Sequence, residues 1–185
     1  LPRGEFTLEQ HGCLEVNSAG VDPASRFGFN DVVLRQGDGK GTVSVDLTVD
    51  DLRYGYYRGD AVVISTPTGS TAYNYAAGGP VLSPSSDAIV ITPVAPMSGI
   101  SRPVVLGVRD EVRFTTANDG MPIAVDIDGT SAGELVQGQW LTAVMRQDAA
   151  QVVRLSASEH AQRSRVRLSL LDLPLRPDPL LELIP

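Results

Sequence analysis

The run Val43-Ser44-Val45-Asp46-Leu47-Thr48-Val49 alternates apolar and polar side chains without a break. In an extended chain successive side chains point to opposite faces. Val43, Val45, Leu47 and Val49 therefore share one face, and Ser44, Asp46 and Thr48 the other. A strand with one wet face needs a second layer against its dry one. The same reading predicts strands over 31–35, 88–92, 111–115, 123–127, 140–146, 151–156 and 166–170. Residues 61–65, AVVIS, are apolar nearly throughout, as in a strand covered on both faces. Turn formers separate the runs: Gly37-Asp38-Gly39, Asp50-Asp51, Asn118-Asp119-Gly120, Asp128-Gly129 and Gln147-Asp148. Residues 37–41 read as a hairpin turn. Short strands at regular spacing predict a mainly β, multi-stranded, sandwich-like domain over residues 1–165. Residues 166–185 hold a last strand and a proline-rich tail that cannot extend a sheet interior.

Composition narrows the function. The net charge is −7 and the 15 Lys and Arg residues are scattered, so no basic footprint for nucleic acid exists. No apolar run reaches membrane-spanning length, and no membrane partner is expected. A single cysteine, Cys13, cannot form an intramolecular disulfide, which fits a reducing compartment and a cytoplasmic location. With two histidines, His11 and His160, both read as surface residues, no zinc-ligand set is present and no metal residue is assigned. Trp140, in a strand pattern, reads as core. The chain opens on Leu1 rather than Met, as expected of a piece processed, cut or excised from something longer.

One helix is expected, inside residues 64–80, ISTPTGSTAYNYAAGGP. Ser70 or Thr71 would cap it, residues 72–77 would form it, and Gly78 would stop it. Strand, tight turn and short helix in succession aim backbone N–H groups at one point, where an anion is favoured. Thr68, Ser70 and Thr71 add hydroxyls, and Tyr73 an aromatic face. A capped helix without a ligand would use the same residue types.

STPTGSTAYNYAAGGP strongly resembles the signature of the NAD kinase family. Further blocks follow the family's order: Phe29-Asn30-Asp31-Val32-Val33, Arg58-Gly59-Asp60, Ile91-Thr92-Pro93-Val94-Ala95-Pro96, Ser101-Arg102-Pro103-Val104-Val105 and Asp126-Ile127-Asp128-Gly129. The resemblance implies the family's C-terminal, mostly β domain, with one short helix after the TPTGST turn. The family's N-terminal α/β domain is not represented. It implies transfer of the terminal phosphate of ATP, or of polyphosphate, to the 2′-hydroxyl of the adenosine ribose of NAD, giving NADP. Mg²⁺ accompanies ATP in the complete enzyme; none is expected to bind this chain alone. A homo-oligomer is implied, with NAD sites near subunit contacts.

Carried over by position, Asn30 and Asp31 hold the adenosine part of NAD. Asp31 stands where Glu is more frequent. Arg58 and Asp60 fall near the ligand's amide and phosphates. Thr68, Thr71, Ala72, Tyr73 and Ala76 belong to the NAD-contacting turn and helix, and Ala95 and Met97 to the adenine pocket. Thr130 replaces a frequent Gln. Ala61 replaces a frequent Gly, which requires a negative φ. Asp126 and Asp128, alternating outward on one strand, also fit a solvated face; as a pair they suggest metal binding only weakly, with no third ligand. The family's Gly-Gly-Asp-Gly-Thr motif, with its proposed general-base Asp, does not occur in the 185 residues, so no catalytic residue is assigned and the chain alone is expected to be inactive. Two alternatives remain open: a free-standing, non-catalytic NAD(P)-binding module, and a lipid kinase of the related diacylglycerol or sphingoid families.

Overall fold

The computed structural model describes residues 6–37, 41–117 and 121–154. Two compact units are distinguished: Gly12–Ala149, and Leu1–His11 with Ala150–Pro185. Of the second, residues 6–11 and 150–154 are described, and they are almost wholly strand. The expected strand at 166–170 and the tail lie outside the described residues.

The strands are β1 (Thr7–Asn17), β2 (Phe27–Gly28), β3 (Asp31–Gln36), β4 (Val43–Val49), β5 (Leu52–Gly59), β6 (Ala61–Ser65), β7 (Ala88–Val94), β8 (Ser98–Gly99), β9 (Val104–Gly107), β10 (Val112–Thr116), β11 (Ile123–Ile127), β12 (Thr130–Leu135) and β13 (Trp140–Arg154). One helix, α1 (Tyr73–Ala76), follows a 3₁₀ turn at Thr68–Thr71. One sheet has the order β2-β1-β13-β10-β4-β5-β8, and the other β12-β11-β3-β6-β7-β9. The second sheet is antiparallel throughout.

Side-chain parity builds the sandwich. Val45, Leu47, Phe114 and Leu141 from the first sheet share one buried cluster with Val32, Leu34, Val62, Ile64, Ile91 and Val125 from the second. Both dry faces are thereby removed from water at once. β6 is buried along its whole length because a second, smaller cluster of Val33, Ala61 and Val63 covers its other face with Ala77 and Val94.

The observed β4, β6 and β11 match their expected limits, and β3, β7 and β10 lie within two residues of theirs. Four readings are corrected. Residues 140–154 form one strand, so Gln147-Asp148 is not a turn; Gln147 reaches Asp87 through a side-chain hydrogen bond of 2.8 Å while the backbone stays extended. Residues 37–41 do not close a hairpin, because β3 and β4 belong to different sheets. Trp140 is not core: Leu141 and Ala143 take the inward positions, leaving Trp140 48% exposed beneath the Arg113 guanidinium, 5.6 Å from its ring centroid. His11 is half-buried rather than at the surface. The strands β1, β2, β5, β8, β9 and β12 are not among those the pattern predicts. β5 explains why: it exposes Leu52, Tyr54 and Tyr56 and breaks register opposite Leu47/Thr48, next to Gly55. The turns Asp50-Asp51 and Asp128-Gly129 close two-residue hairpins with positive φ at every position.

Candidate functional site

In β3, Val32 and Leu34 point into the core, so Asp31, Val33 and Arg35 point out of the sandwich. In β11, Val125 and Ile127 point inward and Asp126 outward. Between this outer face, α1 and the β11–β12 turn lies a cavity of about 470 Å³. Asn30, Asp31, Arg35, Ala72, Tyr73, Asp126, Asp128 and Gly129 line it, with Val33.

The signature turn holds this corner by its interior chemistry. Thr66 donates its hydroxyl to the Phe29 carbonyl at 2.7 Å and its N–H to the Asn30 carbonyl at 3.0 Å. Its Oγ1 also accepts the Gly69 N–H at 2.9 Å. Gly69 approaches the Asn30 backbone so closely that any Cβ would collide with it. Asn74 is fully buried and satisfied: its amide donates to the carbonyls of Ser70 (2.8 Å) and Pro80 (2.9 Å), and its oxygen accepts the Thr92 hydroxyl at 2.6 Å. These bonds pin α1 to β7. Unpaired, each buried group would cost about 1–3 kcal/mol.

The expected helix cap is corrected. Ser70 lies inside the 3₁₀ turn, where its hydroxyl donates to the Pro67 carbonyl at 2.7 Å and accepts the Leu82 N–H at 3.0 Å. It has no hydroxyl left for a ligand. α1 starts after Ala72 without a side-chain cap and makes a single turn, so no helix-terminus field gathers there.

Three carboxylates border the cavity, in three states. Asp126 forms a two-pronged ion pair with Arg35, whose remaining nitrogen donates to the carbonyls of Gln36 (3.1 Å) and Gly37 (3.3 Å). Asp128 accepts the backbone N–H groups of Phe29 (2.8 Å), Asn30 (2.7 Å) and Asp31 (3.1 Å). Neither is a merely solvated side chain, which corrects that expectation. Asp31 is buried, and its carboxyl is pushed above the ordinary range, first by burial and then by the neighbouring Asp128 charge; a hydrogen bond from the Tyr73 backbone acts the other way. The cavity thus offers acceptors, and Arg35, the cation among the described residues lining it, is already neutralised by Asp126. Such a lining suits hydroxyl and amino groups better than phosphate.

Of the expected site residues, Asn30, Asp31, Ala72 and Tyr73 come together at the cavity. Thr130 follows Gly129 and is exposed. Thr68, Thr71 and Ala76 sit on the same turn and helix without lining the cavity. Arg58, Asp60, Ala95 and Met97 collect at the other end of β6, where Asp60 N–H meets the Val94 carbonyl (3.0 Å) and Met97 N–H the Arg58 carbonyl (2.7 Å). Arg58 lines a separate cavity of about 190 Å³ with Gln36, Ser44 and Thr116. Ala61 has no positive φ, so the side chain is accommodated. Asp128, Arg35 and Asn74 were not assigned a ligand-contacting role from the sequence, although Asp128 stands in one of the family blocks and Asn74 in the signature. The partners of Asp128, and Asp126 as partner of Arg35, lie more than ninety residues along the chain, where no local pattern reveals them.

A sequence model described as the ATP-NAD kinase C-terminal domain matches residues 29–155. NAD kinase 1 of Streptomyces avermitilis is 37% identical over 146 residues, which are 79% of this chain and 41% of that protein. The NAD kinase of Heliobacterium modesticaldum is 32% identical over 154 residues, 82% of this chain and 54% of that protein. The chain spans about half the length of the curated relatives it matches. Among solved structures, yeast NADH kinase complexed with NADH superposes with a TM-score of 0.76 at 24% identity, covering 92% of this chain and 50% of that one. An NAD kinase from Archaeoglobus fulgidus in complex with ATP gives 0.70 at 19%, covering 88% and 60%. At these identities the two structures establish a common fold, in agreement with the mainly β expectation.

Proposed function

The chain belongs to the NAD kinase family, matching its C-terminal domain, and on that premise we propose that it supplies the dinucleotide-binding part of an enzyme phosphorylating the adenosine ribose 2′-hydroxyl of NAD. The phosphate donor is ATP or polyphosphate. One observation carries the reading: Ala72 and Tyr73 of the signature and the Asn30-Asp31 corner, far apart in sequence, form walls of one acceptor-lined cavity. Asp31 presents a buried carboxylate suited to ribose hydroxyls, Asn30 an amide suited to either donor or acceptor, and Tyr73 a ring 42% exposed beside them. The Gly-Gly-Asp-Gly-Thr motif that carries the family's proposed general base does not occur in these 185 residues, so on this reading the chain binds NAD without turning it over. Mg²⁺ enters with ATP. Asp126 is committed to Arg35 and Asp128 to backbone N–H groups, so these two carboxylates do not fit a metal-holding role. Self-association into a homo-oligomer, and a cytoplasmic location, belong to the same reading.

Titration calorimetry with NAD tests it. Weak binding is expected, reduced about tenfold by Asn30→Ala or Tyr73→Ala and less by Tyr75→Phe. Binding indifferent to both Asn30 and Tyr73 would move the site elsewhere. Formation of NADP from NAD and ATP by this chain alone would overturn the division of labour. Light scattering at high micromolar concentration addresses assembly, and a clean monomer would oppose it.

A further inference from the structure

We infer that Asp128 is the positioning residue of the cavity: its carboxylate gathers the backbone N–H groups of Phe29, Asn30 and Asp31 and thereby fixes the corner that presents Asn30 and Asp31. The inference rests on reading the cavity as a nucleotide site. Its basis is a complete account of the corner's backbone. The three N–H groups all donate to the Asp128 carboxylate, at 2.8, 2.7 and 3.1 Å. The Phe29 carbonyl accepts from the Thr66 hydroxyl, and the Asn30 carbonyl from the Thr66 N–H and the Ser65 hydroxyl. The Asp31 carbonyl accepts the Asp128 N–H at 3.0 Å. No backbone polar group of the three residues is left over, and four of the six depend on Asp128. The carbonyl side is held by the signature turn and the N–H side by a turn almost a hundred residues later.

The geometry explains why the residue is an aspartate in that conformation. Three successive N–H groups converge only on an acceptor placed close to the chain. The φ of +48° at Asp128, followed by +76° at Gly129, brings the short carboxylate there. A neutral amide offers one acceptor oxygen in place of two and no charge, so it cannot satisfy all three donors equally.

A second consequence separates positioning from mere support. The Asp128 charge faces Asp31, and so does the Tyr73 N–H from α1; Arg35 and Asp126, on the neighbouring wall, neutralise each other, and the Tyr73 phenol completes the surroundings. Removing the Asp128 charge therefore lets Asp31 ionise at lower pH. If the Asp31 carboxylate accepts from the ligand, the acid limb of NAD binding moves down with it.

The test uses the whole chain and three variants: Asp128→Ala, Asp128→Asn, and Leu47→Ala on β4 as a stability-matched control. Amide exchange, a carbon-detected titration of the Asp31 carboxyl, and calorimetry with NAD are measured on each. In Asp128→Ala, the amides of residues 29–31 are expected to lose protection by about tenfold or more beyond those of β4, with NAD affinity falling by a similar factor. In Asp128→Asn, the Asp31 titration is expected at lower pH with part of the protection kept. Leu47→Ala should do neither. Unchanged exchange and an unchanged Asp31 titration in Asp128→Asn would overturn the inference, as would equal losses in Leu47→Ala. If the parent chain takes up no NAD, exchange and titration decide the role of Asp128, and the nucleotide reading is what fails.

Discussion

The turn Asp50-Asp51, between β4 and β5, and the turn Asp128-Gly129, between β11 and β12, share one backbone geometry, with φ of 46° and 62° in the first and 48° and 76° in the second. Each begins with an aspartate and each joins strands by a two-residue loop. Their aspartates do different work. Asp50 accepts a single N–H, from Glu111 at 2.9 Å. Asp128 accepts three from one corner of the cavity. The second residues differ as well: Asp51 is strained in a conformation that Gly129 adopts freely, and its ion pair with Arg113, 3.2 Å long with the Asp51 side chain 84% exposed, returns little. Local turn chemistry is thus common to both, while the load depends on what the sheet brings opposite.

Substitutions at the two turns test whether the aspartates differ in this way. Asp128→Ala should cost the most, about 2–3 kcal/mol after allowance for its exposure, because three charge-assisted bonds go together. Asp50→Ala should cost about 1 kcal/mol, since one bond goes. Equal losses in urea unfolding would erase the distinction. Gly129→Ala comes next, at about 1 kcal/mol, a backbone cost for a non-glycine residue in the left-handed region. A Cβ there meets nothing within 4 Å, so a larger loss would mean the turn is held by contacts not seen around it. At the equivalent position of the other turn, Asp51→Gly should be near neutral or stabilising by about 0.5 kcal/mol, as released strain opposes the entropy of a freer unfolded chain. A clear destabilisation would show that the Asp51–Arg113 pair carries more than its exposure allows.

The smallest effect concerns the cost of holding Asp31 beside Asp128. A carboxyl whose folded pKa lies above its ordinary 3.8 binds its proton more tightly when folded. The folded state is then favoured most below 3.8, and this advantage is lost as pH rises through the raised value. At pH 7 the charged Asp31 destabilises the fold, so Asp31→Asn should melt higher there and converge with the parent in acid. Melting curves across this range check the sign, and a variant less stable at neutral pH would contradict it. The gain in stability should accompany a loss of NAD binding, as expected where a site keeps an unfavourable charge for function.

Much of the sandwich was legible because burial imposes period two on each strand. Val43–Val49 and Ile123–Ile127 could be delimited to the residue. Trp140 shows the limit of that reasoning. Its strand was visible, but an aromatic residue at an outward position is indistinguishable by type from one in the core, and only the inward placing of Leu141 and Ala143 assigns the face. The candidate site was legible in a more limited way. Asn30, Asp31, Ala72 and Tyr73 are expected as site residues through the resemblance of two blocks, and the structure brings these four to one cavity. The hydroxyls of the signature turn were misjudged at Ser70, because a hydroxyl that closes a turn and one that meets a ligand are the same residue in sequence.

The class of fold, the place of the helical turn α1, the turns at Asp50-Asp51 and Asp128-Gly129, and the family could be read from the residues alone. These depend on periodicity, on left-handed turn preferences and on contiguous motifs, all short-range along the chain. That β3 and β4 part into different sheets, that Arg35 neutralises Asp126, and that Asp128 serves residues 29–31 emerge only in the folded chain. A hydrogen bond is satisfied by proximity, not by sequence separation. A carboxylate 97–99 residues away becomes the partner of three N–H groups only once β11 pairs with β3 and sets its turn against that corner.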